Sequence, residues 1–231
     1  MDVFVKITLT ALGIIAISII IIAIYRRISA KLTAESILKY GRGSPRFIYN
    51  LLSTVYAKQR LFSAVTLPAN PKKPGGPRVG VDLIAVGRGG VCIIRVLRYK
   101  GFIENPNKGD WCQVFGDNIL PFRNPFEQNA VCLRAVERIF KVEHVYNVPL
   151  LNLVVFTDAD VKFKNQQDNL YIADRLLPAL HDVNRSRFMN NREIKAAIAA
   201  IRKYAKPAGK PKPGTPKGMP ENITKTGQPI I

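Results

Sequence analysis

Asp82 stands alone as an acid in an apolar run, Val79 to Val86, and a second apolar run, Val91 to Leu97, follows Gly87-Arg88-Gly89-Gly90. Two β-rich runs around such a tetrad read as a hairpin. Alternate side chains of a strand share a face, so Arg95 and Leu97 point together to one side of the hairpin, and the chemistry to weigh is whether they and Asp82 could hold a divalent ion. Mg²⁺ takes oxygen ligands, usually one or two carboxylates, and a hydrolytic site uses the ion to generate a nucleophile and clamp phosphate oxygens. A guanidinium offers five donors and no acceptor. Arg95 therefore cannot ligate a metal and its charge would repel one, while Leu97 can neither orient a water nor stabilise a developing charge. Glu104, Asp110 and Glu127 are the carboxylates with which Asp82 would rebuild a metal site. An isolated strand acid also reads as a hydrogen-bonding group with no catalytic role.

The basic residues suggest a different chemistry. Arg95, Arg98 and Lys100 sit at and just after the second run, and Lys72, Lys73 and Arg78 lie in a Pro/Gly-rich loop. All six are candidate phosphate contacts, although a solvated turn explains those of the loop equally well. The formal net charge is +19. A charge of that size sets partner preference and association rate rather than fold. The anionic partners it suits are nucleic acid and the inner membrane leaflet, the latter attracting each nearby basic side chain by roughly 1 kcal/mol; the plainer reading is solubility. Gly87 to Gly90 is not a Walker loop, because no Gly-Lys-Ser/Thr follows. Cys92, Cys112 and Cys132 show no CxxC pairing, which suits a reducing compartment. His144 and His181 have no metal-ligand spacing, and no cofactor is called for unless Asp82 regains a Mg²⁺ site.

Several elements must position these residues. From Ile7 to Tyr25 no residue is charged, and at about 1.5 Å per residue the run spans roughly 28 Å, close to the hydrocarbon core. It is expected to be a transmembrane helix. Arg26, Arg27 and Lys31 follow it, so the positive-inside rule leaves the short N-terminus outside and the rest of a single-pass cell-membrane protein in the cytoplasm. Residues 28–38 are expected to continue as a helix or hinge. Ser44-Pro45 and the spacing of Ile48, Leu51, Leu52 and Val55 predict a helix over 45–59. A strand is expected at 61–67, a hairpin at 111–122, a helix capped by Asn124 with Val131, Ala135 and Ile139 inward and Cys132 and Val136 beside them, and a doubly buried strand at 150–156. A short strand and helix should follow between 170 and 183, then a final helix over 190–204. From Ala205 the frequent Pro, Gly and Lys predict a disordered tail. The division expected is an anchor (1–30), an α/β domain (31–165), its C-terminal helical part (166–204) and a tail (205–231).

The order Asp82, Gly90-Val91, Ile94, Lys100-Gly101, Trp111, Asn124-Pro125 and Gln128 resembles the nuclease-related domain family (NERD), a branch of the restriction-endonuclease-like fold. The resemblance covers roughly Gly41 to Phe156 and implies an α/β fold, a mixed sheet flanked by helices, behind the single N-terminal transmembrane helix. It also implies a metal-dependent nuclease site in which a strand Asp acts with Ile-Glu-x-Lys. Here Arg95 stands where the family has Glu and Leu97 where it has Lys. The family also tends to place a Glu in a Gly-Glu context before the first strand, and Gly43-Ser44-Pro45-Arg46 has no acid. The site Asp82, Arg95, Leu97 and Gln128 is thus expected to be vestigial. The first reading is a degenerate, membrane-anchored domain binding nucleic acid or another polyanion. The others are a membrane-tethered scaffold for a protein partner and a nuclease with a migrated site. The sequence carries no signal of oligomeric state.

Overall fold

The structure is a computed structural model that describes residues 45–116 and 118–208, together with residue 20. Except for Ile20, the span expected over 7–25 lies outside the described residues, as do 28–38 and the tail from 209. Among the described residues no helix is long and apolar enough to cross a membrane.

Helix α1 (Pro45–Leu52) buries Phe47, Ile48 and Leu52. It stops short of the expected residue 59 because Ser53 and Thr54 donate their hydroxyls to Asn50 O and Leu51 O, at 2.8 and 2.7 Å. Such local bonds compete with a continuing helix. Val55, expected on the buried stripe, is exposed, and a short 3₁₀ turn (Lys58–Arg60) leads into the sheet.

The main sheet joins β1 (Leu61–Pro68), β2 (Arg78–Gly87), β3 (Gly90–Leu97), β7 (Leu150–Phe156), β9 (Leu170–Ile172) and β10 (Lys206–Pro207) in the order β10-β1-β2-β3-β7-β9. The β10–β1, β1–β2 and β2–β3 pairings are antiparallel, whereas β3–β7 and β7–β9 are parallel. A second sheet holds β6 (Asn118–Phe122), β5 (Trp111–Phe115), β4 (Phe102–Glu104) and β8 (Lys162–Phe163) in that order; its β5–β6 hairpin is the one expected over 111–122, whereas the addition of β4 and β8 is not anticipated from the sequence. Lys206 and Pro207, expected to begin the tail, pair with β1 through Thr66 and Val65.

Three more helices complete the described fold: α2 (Pro125–Val142), α3 (Ala173–Arg185) and α4 (Asn191–Tyr204). Asn124 caps α2 by accepting from Phe126 N, and Asn190 with Glu193 forms a capping box on α4. One face of the sheet, with Val81, Ile84 and Ile93, packs against Val136 and Ile139 of α2 and Ile201 of α4. The other, with Leu83, Ile94 and Val155, packs against Ile48 and Leu52 of α1 and Leu176 and Leu180 of α3. The buried stripe of α2 holds Cys132, Ala135, Val136 and Ile139 as expected and adds Asn129, leaving Val131 exposed rather than inward. A third cluster forms around Trp111, Phe156 and Ile103 between the two sheets. β7 is buried on both sides, as its apolar run predicts.

Candidate functional site

The site sits where the main sheet forks. The β2–β3 ladder runs from Gly87↔Gly90 to Leu83↔Ile94 and stops there. Beyond it, β2 continues along β1 from Val81 to Arg78, while β3 continues along β7 from Arg95 to Leu97. Asp82 fills the opening. Its Oδ2 accepts from Val96 N at 3.2 Å, replacing the lost ladder partner, and lies 3.4 Å from Arg95 Nη1. Across Asp82 on the other side, Ala64 of β1 drops out of register with a φ of 49°. A non-glycine residue in the left-handed region costs of order 1–2 kcal/mol, so the row Ala64–Asp82–Arg95 is locally strained.

Helix α2 closes the fork from above. Gln128, on its first turn, accepts from Arg95 Nη2 through Oε1 at 3.0 Å, and its Nε2 donates to Arg123 O at 3.4 Å. Cys132, one turn on, donates to Gly80 O at 3.3 Å. Phe126 anchors this turn with its ring 6.0 Å from that of Trp111, which stacks parallel to Phe156 and donates Nε1–H to Pro106 O at 3.1 Å. The Trp111 indole thus fixes the height of Gln128 over the sheet. Tyr99 stacks on Phe122 at 4.2 Å. Burial raises its phenol pKa, and the nearby Arg95 charge pulls it partly back.

The structure therefore brings Asp82, Arg95 and Gln128 into one contact group. Leu97 lies beside it, half-buried against the Trp111–Phe156 cluster. Arg98 and Lys100 are exposed just past the end of β3, and Lys72 and Lys73 are exposed on the β1–β2 loop. Arg78 is already engaged, donating to Thr66 Oγ1, Thr66 O and Tyr204 O at 3.0, 2.6 and 2.7 Å. None of the three spare carboxylates reaches Asp82. Glu104 pairs with Lys164 at 2.9 Å, Glu127 lines a separate cleft, and Asp110 is exposed ahead of β5.

A divalent cation does not fit this arrangement. Arg95 is held on Asp82, and its Nε is buried with no hydrogen-bond partner. An orphaned donor calls for an acceptor atom, not for a cation. Among the described residues no group of three or more His, Cys, Asp and Glu is placed to hold a metal.

Sequence reasoning missed the amide network that ties α2 to the sheet. Asn129 Nδ2 donates to Ile93 O at 2.7 Å and to Asn152 Oδ1 at 2.8 Å, and Asn152 Nδ2 donates to Phe126 O at 2.9 Å. The signal was an asparagine inside the apolar run Leu150 to Phe156. A buried amide must be hydrogen-bonded, so Asn152 foretold a polar partner on whatever covers β7.

With this geometry in place, comparison adds one match: a family model described as nuclease-related domain covers residues 41–157, half of the chain. No curated protein and no solved structure gives a significant match.

Proposed function

Because the chain belongs to the nuclease-related domain family, we propose that it is a membrane-anchored member that holds nucleic acid on a basic cytoplasmic surface without cleaving it. The observation that carries this reading is the Arg95 guanidinium seated between Asp82 Oδ2 and Gln128 Oε1. A fixed cation already compensates the one strand carboxylate, so Asp82 is not left free to hold a metal, and the charge that would meet a phosphate comes from the exposed basic residues around the fork. Catalysis of hydrolysis needs more than that charge. It needs an activated water, and Arg95 and Leu97 provide no base or ligand for one. Binding does not need it. The net charge of +19 supports a polyanion as partner, and the exposed Arg98 and Lys100 beside the fork extend the positive surface. The uncharged run from Ile7 to Tyr25, followed by Arg26, Arg27 and Lys31, supports the anchor and its orientation.

The test is the salt dependence of affinity. Full-length protein in detergent should bind labelled DNA with an affinity that falls by about a thousandfold between about 50 and 200 mM salt if some six phosphates are neutralised. Arg98→Glu with Lys100→Glu should flatten the log–log slope by about two. Absence of DNA binding, with retention on phosphatidylserine vesicles, would assign the charge to the lipid surface and overturn the reading.

A further inference from the structure

The first turn of α2 is a partition. Gln128 faces the fork, while Phe126 and Glu127 line a cleft of about 600 Å³ on the opposite flank. The polar walls of that cleft are Asn124, Asn152, Gln167 and Asn169, with the carboxylates of Glu127 and Asp168. Carboxamides are planar and present a donor beside an acceptor, the pattern found on the edge of a nucleobase.

Much of this lining is fixed and part of it is unused. Asn152 is locked by Asn129 and Phe126 O. The wall from 165 to 169 is clasped by fully buried Asn105, which donates to Asn165 O at 2.8 Å and accepts from Asn165 N at 2.9 Å. Gln167 Nε2 donates to Asn105 O and Asn107 Oδ1, so its Oε1 is left over. Asn124 is only 4% exposed. Its Oδ1 accepts from Phe126 N, while its Nδ2 makes no hydrogen bond within the described residues, at the wall of the cleft. Glu127 and Asp168 likewise have no cationic partner among the described residues, in a chain whose charge is +19.

These leftovers define a ligand. Two carboxylates repel a phosphate, so the group inside is not anionic. Over the whole lining, the oxygens left free on Gln166, Gln167, Asn169 and the two carboxylates outnumber the free amide nitrogens of Asn107, Asn124, Gln166 and Asn169, which favours a group that donates. The Phe126 ring in the wall favours a flat apolar face. A second hollow of about 760 Å³ shares the 166–169 wall, Asp168 included, and adds Tyr171, a ring on which to stack, with the Arg175 cation in its lining. We propose that the cleft receives one unpaired nucleobase carrying an exocyclic amino group, with the next nucleotide of the same strand in the adjoining hollow. This deepens the nucleic-acid reading above and rests on it: the strand that the basic surface holds would be single at this point.

Free nucleosides test the cleft without any phosphate contact. Saturation-transfer NMR on the full-length protein in detergent, with adenosine, cytidine and uridine at equal concentration, should give base-proton signals for the first two at least about fivefold above uridine. Ala130→Trp, which fills the cleft from α2, should abolish them. Asp168→Asn, an exposed and near-isosteric change, should narrow the preference over uridine while leaving the fold intact. Equal signals from all three nucleosides, no signal from any, or signals indifferent to both substitutions would overturn the proposal. Because nucleosides carry no backbone charge, binding of adenosine and cytidine in a protein that fails to bind DNA would leave the cleft standing and remove only the polyanion reading.

Discussion

The two ends of the β2–β3 hairpin are built from the same strands and behave as opposites. At the turn, the ladder is continuous from Leu83↔Ile94 to Gly87↔Gly90, apolar side chains are buried on both faces, and the backbone is pressed against its neighbours. A Cβ on Gly87 would collide with the Asn184 side chain, and one on Gly89 with the Val183 carbonyl of α3. Met189 N donates to Arg88 O at 2.8 Å. At the fork, the strands part, β1 carries a left-handed Ala64, and an ion pair with an amide takes the place of the ladder. The comparison teaches how a strained polar site is tolerated: apolar packing at the turn fixes both strands, and the cost of the open end is borne there.

The largest effect should therefore come from the closed end. Gly89→Ala drives a methyl into main-chain atoms that cannot move aside, and the overpacking should destabilise by about 3 kcal/mol in guanidinium denaturation. A loss below about 1 kcal/mol would show that the turn is not the rigid end. At the fork, Arg95→Leu leaves Asp82 half-buried without its cation and should cost about 2 kcal/mol. The double change Asp82→Leu with Arg95→Leu should recover most of that loss. A neutral single substitution would mean that the pair does not hold the fork.

A reactivity measurement sharpens the contrast at still lower cost to the fold. Cys92 belongs to the ordered part of β3, and burial pushes its thiol up to about 12. Native protein treated with iodoacetamide near neutral pH should be alkylated at half-buried Cys112 and spared at Cys92 and Cys132. Mass-spectrometric labelling of Cys92 at a comparable rate would show that the closed end opens readily. The smallest effect lies outside both ends, where α2 meets α4. The hydrogen bond from Lys203 to Glu143 at 2.7 Å, with a second from Tyr204 Oη, holds the Glu143 carboxyl below its usual range. A carboxyl with a depressed folded pKa adds stability that is present above its unfolded pKa and lost as pH falls through the folded one. Melting temperature should decline less between about pH 5 and 3 in Glu143→Gln than in the unmodified protein, and an identical acid limb would show that this exposed contact contributes nothing.

Much of the candidate site is legible in the amino-acid sequence. Strand alternation puts Arg95 and Leu97 on one face of β3, and the Asn124 cap puts Gln128 on the first turn of a helix above them. The fork itself is not legible, because the point where β2 leaves β3 depends on the pairing of each with a third strand and on the left-handed Ala64, a residue type that gives no warning of it. The rest of the second sheet, beyond its hairpin, escapes notice because β4 and β8 are only three and two residues long, too short to show a period. The end of α1 turns on two side-chain hydroxyls rather than on hydrophobic spacing. Val131 is misplaced by the spacing because an i, i+4, i+8 series drifts around the helix, and the stripe through Asn129 and Cys132 that lies against the sheet contains a polar residue that hydrophobicity alone passes over.

The most direct test is a cleavage assay of the full-length protein with labelled single-stranded DNA, duplex DNA and RNA in the presence of Mg²⁺ or Mn²⁺. Because the Arg95 guanidinium is seated on Asp82, no divalent-metal-dependent products are expected from any of the three. Arg95→Glu with Leu97→Lys, which returns an acceptor to the fork, should raise Mg²⁺ affinity and weaken anion binding there. Metal-dependent cleavage by the unmodified protein that disappears in Asp82→Ala would contradict the assignment of Arg95 to the place of the metal.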